Sequence, residues 1–135
     1  MPITKIILLY ALTVPVFLLV DLVWLGFVAK DFYKNQLGAL MRTDPIWWAA
    51  ILFYLLFIIG ILYFAVLPAV AVGAWTRALT LGALFGFFTY MTYDLTNYAL
   101  ITGWPFSLIA IDILWGSFLT GTVATASFFI ARLIV

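Results

Sequence analysis

The sequence predicts an all-α, polytopic membrane protein: a bundle of four transmembrane helices with a short interfacial helix after the first span. Composition is the first reason. Of 135 residues, 68% are hydrophobic and 8% charged, where a soluble domain carries about 45–50% apolar and ~25% charged residues. The second reason is that the apolar residues gather into runs reaching the ~20 residues a helix needs to cross a bilayer. The third is that these runs are continuous rather than alternating, which argues against a barrel. No long linker or low-complexity stretch interrupts them, so 1–135 reads as a single integral membrane domain with spans at about 6–29, 46–67, 77–100 and 106–132.

What the chain lacks narrows its chemistry. It has no Cys and no His, so no disulfide, no zinc site built on thiolate or imidazole, no histidine-ligated haem and no Cys or Ser-His nucleophile is expected. A formal charge of +1 offers no basic patch, and nucleic acid is not an expected partner. The expected surroundings are the lipid bilayer.

The first span, Ile6 to Ala29, follows a short polar start with one positive charge, Lys5. Its opening has the look of a signal peptide. No small-residue cleavage site comes after it, and Asp21-Leu-Val-Trp24 carries the helix on, so it reads as uncleaved. Pro15 is expected to bend it, because a proline inside a helix removes one backbone hydrogen bond. Lys30 to Asp44 holds three of the six basic residues and two of the five acids and must lie outside the hydrocarbon. Within it Tyr33, Leu37, Leu40 and Met41 form the apolar stripe of a short interfacial helix; a solvated loop with a few anchors is the plainer alternative. Asp44 reads as the N-cap of the second span and Pro45 as its first helical position.

The second span, Ile46 to Leu67, opens on Trp47-Trp48, indoles suited to the headgroup level. Apart from Tyr54 and Tyr63 it is apolar and reads as scaffold. Pro68 to Trp75 reads as a tight connection. In the third span, Arg77 to about Leu100, the helical period puts Gly82, Gly86, Tyr90, Tyr93, Asp94 and Asn97 on one face, and Leu84, Phe87, Phe88, Met91 and Leu95 on the other. The first face is expected to point inward, with the Gly82/Gly86 pair admitting a neighbouring helix closely. Thr102-Gly-Trp-Pro105 is the last turn. The fourth span, Phe106 to Arg132, holds Asp112 and Trp115, then small residues (Gly116, Ser117, Gly121, Ala124, Ala126) that again favour close packing. With four spans, Lys5, Arg77 and Arg132 fall on one side and Lys30, Lys34 and Arg42 on the other. That three-to-three tie chooses no orientation.

Asp21, Asp94 and Asp112 lie inside spans, and none of the six bases does. Ionisable groups at membrane depth are costly, which makes them candidate functional sites. Counted from the Lys30 to Asp44 side at ~1.5 Å per residue, all three sit roughly 9–14 Å deep, so helices one, three and four can present carboxyls at one level under one lid. Tyr10, Phe17 and Trp24 share the Asp21 face, Tyr90, Tyr93 and Asn97 the Asp94 face, and Trp115 and Gly116 the Asp112 face. Val20-Asp21-Leu-Val-Trp24-Leu-Gly26 and Ile111-Asp112-Ile-Leu-Trp115-Gly116 also resemble one another in opposite directions, as an inverted repeat would.

Tyr93-Asp94-Leu-Thr-Asn97, Gly103-Trp104-Pro105 and Ile111-Asp112-Ile-Leu-Trp115-Gly116, with Asp31-Phe-Tyr33 and Leu37-Gly38, resemble a family of small bacterial predicted membrane proteins classed as a domain of unknown function. The resemblance spans nearly the whole chain. It implies a four-span protein of the inner (plasma) membrane and brings no activity with it.

Three functions stay open. In the first, Asp21, Asp94 and Asp112, with Tyr90, Tyr93, Asn97, Trp24 and Trp115, bind or translocate a proton, a cation or a small amphipathic molecule. Acids without a compensating base suit that role, and four spans make a thin wall, so a homodimer is expected. In the second, an enzyme acts on a lipid or isoprenoid. Asp94 is its base and Asp112 its partner, or the two are ligands of Mg²⁺, with Tyr93 and Asn97 positioning substrate. No Gly-x-Gly-Asp segment supports an aspartyl protease. In the third, the chain is an accessory subunit docking its polar face on a partner membrane protein, and the acids only hold helices together.

Overall fold

The computed structural model describes all residues, 1–135, and contains helices and no strands. Three helices are long and apolar enough to cross a membrane: α1 (Ile3–Val28), α3 (Trp47–Val72) and α5 (Phe106–Ile134). Between the first two lies α2 (Phe32–Leu37), followed by one tight 3₁₀ turn at Gly38–Leu40. Helix α4 (Trp75–Leu100) has 26 residues, the length of α1 and of α3. It is less apolar than they are because Thr89 to Asn97 alternates polar side chains with apolar ones.

The most extensive packing joins α4 to α5, and glycine is the reason. A Cβ on Gly82 would stand 2.7 Å from the Ala124 Cβ and 2.8 Å from the Thr120 carbonyl oxygen. On Gly86 it would strike the backbone of Gly116. The helices therefore touch main chain to main chain, which the two small-residue stripes foretold. Helix α1 joins this pair through the Thr13 and Ser127 hydroxyls, 2.7 Å apart and both buried. The Tyr10 hydroxyl donates to the Leu55 carbonyl at 2.9 Å and ties α1 to α3.

Several boundaries differ from those expected. Helix α3 does not stop at Leu67 but runs through Pro68 to Val72, leaving Gly73 and Ala74 as the connection. A proline ring collides with the carbonyl four residues earlier and offers no N–H. Here the turn ahead of it, Leu62–Val66, is widened into a π-helical one, and a wide turn accommodates a residue that cannot join the regular ladder. Pro15 sits within α1 without ending it. Asp44 is not a cap, for α3 begins at Trp47 with Ile46 before it. The segment after α1 also differs from a helix lying flat in the interface. Gly38 takes φ 53°, a left-handed value that a glycine tolerates and that ends α2. Tyr33, Leu37 and Met41 fold back to line a cavity in the bundle, Met41 staying exposed as Leu40 does.

On α4, Gly82, Gly86 and Asp94 are buried as expected, and Leu84, Phe87, Phe88 and Leu95 are exposed. Tyr93 departs from the inward assignment and is exposed. Helix α3 closes on α4 along Leu62–Val66 and stands away from it over Trp47–Ile61. That divergence opens a space between the helices on the side of the Lys30 to Asp44 segment.

Candidate functional site

Asp21 and Trp24 are three residues apart on α1, and Asp112 and Trp115 three apart on α5, so each pair shares one helical face. The two helices run in opposite directions at this point. Their indoles stack, with ring centres 4.4 Å apart and planes 7° from parallel. The carboxyls are then served crosswise. Asp21 faces the Trp115 indole and the Tyr54 hydroxyl of α3. On the other side the Tyr33 hydroxyl of α2 donates to Asp112 Oδ1 at 2.8 Å, and Trp24 Nε1 donates to that same Tyr33 oxygen at 3.0 Å. Each acid thus has a tyrosine from a neighbouring element and is linked to the tryptophan of the opposite helix. The Tyr33 phenol, outside the spans, is pushed well above its ordinary pKa by burial first and by the Asp112 charge second, so it remains a donor.

These groups line a cavity of about 590 Å³ bounded by 16 residues, 13 of them hydrophobic. The wall is aromatic: Phe53, Tyr54 and Phe57 come from α3, Tyr90 and Tyr93 from α4, and Trp104 from the turn before α5. Asp21 and Asp112 are the acids that reach it, and no Lys or Arg is among the lining residues. Asp94 lies behind the wall at 0% exposure. Its carboxyl is beside that of Asp112 and the Trp104 indole. Both its oxygens and Trp104 Nε1 nevertheless lack a hydrogen-bond partner. The structure holds no group of three or more Asp, Glu, His or Cys side chains able to grip a metal ion. Asp94 and Asp112, the two carboxylates a Mg²⁺ ion would use, have no third carboxylate beside them.

With this geometry in view, the comparisons with known proteins add one assignment. Residues 6–129 match a family described as Predicted membrane protein (DUF2177). The chain belongs to this family. The description agrees with the resemblance carried by the Tyr-Asp-Leu-Thr-Asn and Asp-x-x-Trp-Gly segments, and it names no activity. No curated protein and no solved structure matches the chain.

In this DUF2177 member the eight residues singled out from sequence divide into two sets. Asp21, Trp24, Tyr90, Tyr93, Asp112 and Trp115 line the cavity; Asp94 and Asn97 do not. Asn97 is half-buried near Tyr93, whose ring meets Trp104 edge-on at 5.7 Å. Gly116 has no room for a Cβ because the Tyr90 ring covers it. Tyr10 and Phe17, placed on the Asp21 face, lie deeper along α1 than the cavity: Tyr10 is on Leu55, and Phe17 is buried with Asp21, 5.4 Å from the Tyr54 ring. The two Asp-x-x-Trp segments meet each other at one end of the bundle. A repeat inverted about the membrane midplane would place them at opposite ends, so their symmetry is local to α1 and α5.

Tyr33 and Tyr54 are the residues that sequence reasoning did not place at the site, and Trp104, read as a turn residue, lines it too. Tyr54 had a readable signal, since Phe53, Tyr54 and Phe57 lie six to ten residues inside Trp47, near the depth estimated for the acids. Tyr33 gave no such signal, because an apolar stripe describes a membrane-facing helix and a folded-back lid equally well.

Proposed function

We propose that the chain is a four-span protein of a bacterial inner membrane that binds a small amphipathic molecule carrying a positive charge. The observation that carries this reading is the cavity: two buried carboxyls, no basic side chain, and aromatic rings on every bounding helix. Rings and carboxylates attract the same kind of head, an ammonium or a similar cation, and the volume falls within the ~300–1,000 Å³ usual for small-molecule sites. Four spans are supported by the length of α4, which at ~1.5 Å per residue exceeds the ~30 Å hydrocarbon thickness. Its exposed face of Leu84, Phe87, Phe88 and Leu95 supports the same count.

The test is thermal unfolding of the detergent-purified protein with hexyltrimethylammonium, hexanol and hexyl sulfate. A ligand bound to the native state raises stability by mass action. The expected result is a saturable rise with the ammonium alone, which needs about tenfold more ammonium in Asp112→Asn. Equal shifts with all three would refute the charge requirement. A rise that needs Mg²⁺ and is lost in Asp94→Asn and Asp112→Asn would instead favour a lipid-modifying enzyme.

A further inference from the structure

The cavity is a wedge between helices that diverge. Helices α3 and α4 meet along Leu62–Val66 and diverge over Trp47–Ile61. Phe57 marks the point of divergence, its ring 5.3 Å from Phe85 and 6.3 Å from Tyr90. Beyond it four lining side chains are also exposed: Phe53 at 48% on α3 and Tyr93 at 56% on α4, the two helices that diverge, with Leu25 at 39% on α1 and Met41 at 47% after α2. Phe53 lies six residues inside Trp47, ~9 Å along the helix. In a spanning helix the medium at that depth is hydrocarbon. A water-soluble ligand has no use for such an opening, whereas a lipid reaches it by lateral diffusion.

Charge selects the head. The two acids on the wall disfavour a phosphate, and no Lys or Arg lines the cavity to attract one. Resting on the proposal that the cavity holds an amphipathic cation, we infer that the ligand is a long-chain amine drawn from the bilayer, its head between Asp21 and Asp112 and its tail leaving between Phe53 and Tyr93. Phospholipids, zwitterionic ones included, are excluded by their phosphate.

Tryptophan fluorescence tests this directly. Of six tryptophans, Trp24, Trp104 and Trp115 line the cavity, and Trp47, Trp48 and Trp75 are exposed. Replacing the exposed three by Phe leaves emission from the cavity alone. This protein, reconstituted in phosphatidylcholine vesicles, is titrated with a long-chain amine brominated near its head, and separately with phosphatidylcholine brominated at the same depth. Contact with bromine quenches an indole. The expected result is saturable quenching by the amine beyond that by phosphatidylcholine, with half-saturation about tenfold higher once Asp21→Asn and Asp112→Asn are both present. If hexyltrimethylammonium stabilises the protein but the brominated amine quenches no more than the phospholipid, the bilayer route is wrong and the cation site stands. If neither acts, both fail. Excess quenching by the phospholipid would overturn the headgroup rule.

Discussion

From Gly82 to Gly86 on α4, and from Gly116 to Ala124 on α5, two helices lie so close that a single methyl group has nowhere to go. Toward the Lys30 to Asp44 side the neighbouring helices are instead held apart by rings: Trp24 on Trp115, and Phe53, Tyr54 and Phe57 across from Tyr90. In water both regions would be explained by apolar burial. Between helices already in lipid that driving force is nearly absent, so contact geometry takes its place. Small side chains bring backbones together and exclude everything else. Large flat ones cannot fill the space between diverging helices, and they leave a cavity where carboxyls can reside. The lesson is that residue size along one helix divides it into a part that packs backbone on backbone and a part that leaves a cavity.

If that division is real, perturbing the two regions has different consequences. The largest effect is expected from Gly86→Ala, whose Cβ would lie 2.7 Å from the Gly116 carbonyl carbon and from Thr120 Oγ1. Backbone cannot step aside as a flexible side chain does, so a loss of about 3 kcal/mol is expected, the upper end for overpacking. Denaturation in mixed micelles measures it. Stability equal to wild type would show that the close approach is not required. Next comes Asp112→Asn, which keeps an oxygen able to accept from Tyr33. Its unfolding should stay within about 1 kcal/mol of wild type, while affinity for an amphipathic ammonium falls about tenfold, equivalent to ~1.4 kcal/mol. A parallel collapse of stability would move Asp112 into the structural region.

A smaller effect belongs to Tyr33→Phe, which removes the two Tyr33 hydrogen bonds, with Trp24 and Asp112, at a cost of roughly 1 kcal/mol. Hydrogen exchange over residues 31–41 should quicken, with the α4–α5 amides unchanged. The smallest is expected from Trp115→Phe, which keeps a ring but weakens the stack by about 0.5–1.5 kcal/mol. If its unfolding midpoint falls as far as that of Gly86→Ala, the aromatic region is as much a part of the scaffold as the glycine one.

How far sequence reached depends on whether a feature is local. The α4 face, the small-residue stripes and the two Asp-x-x-Trp pairs follow from helical period, and the structure places most of them where that period puts them. Convergence of Asp21 and Asp112 on one cavity followed from counting rise per residue, because antiparallel helices of known ends leave little freedom in depth. Rotation about each axis is not fixed by such counting. Asp94 thus turned into the protein behind the wall, and Tyr54 turned from lipid to the cavity. The extension of α3 through Pro68 was hidden for another reason: a widened turn depends on what surrounds it, and no residue pattern announces one.

The chain of hydrogen bonds from Trp24 through Tyr33 to Asp112 has a consequence on the aqueous side. With the contact between Ser107 and Gln36, it makes up the side-chain hydrogen bonding that ties the Lys30 to Asp44 segment to the bundle, beside the packing of Leu37 and Met41. Whatever draws the Tyr33 hydroxyl away from Asp112 slackens a loop that lies outside the lipid. If the cavity binds the proposed cation beside Asp112, a protease or an antibody in the surrounding water would read its occupancy as a change at this segment.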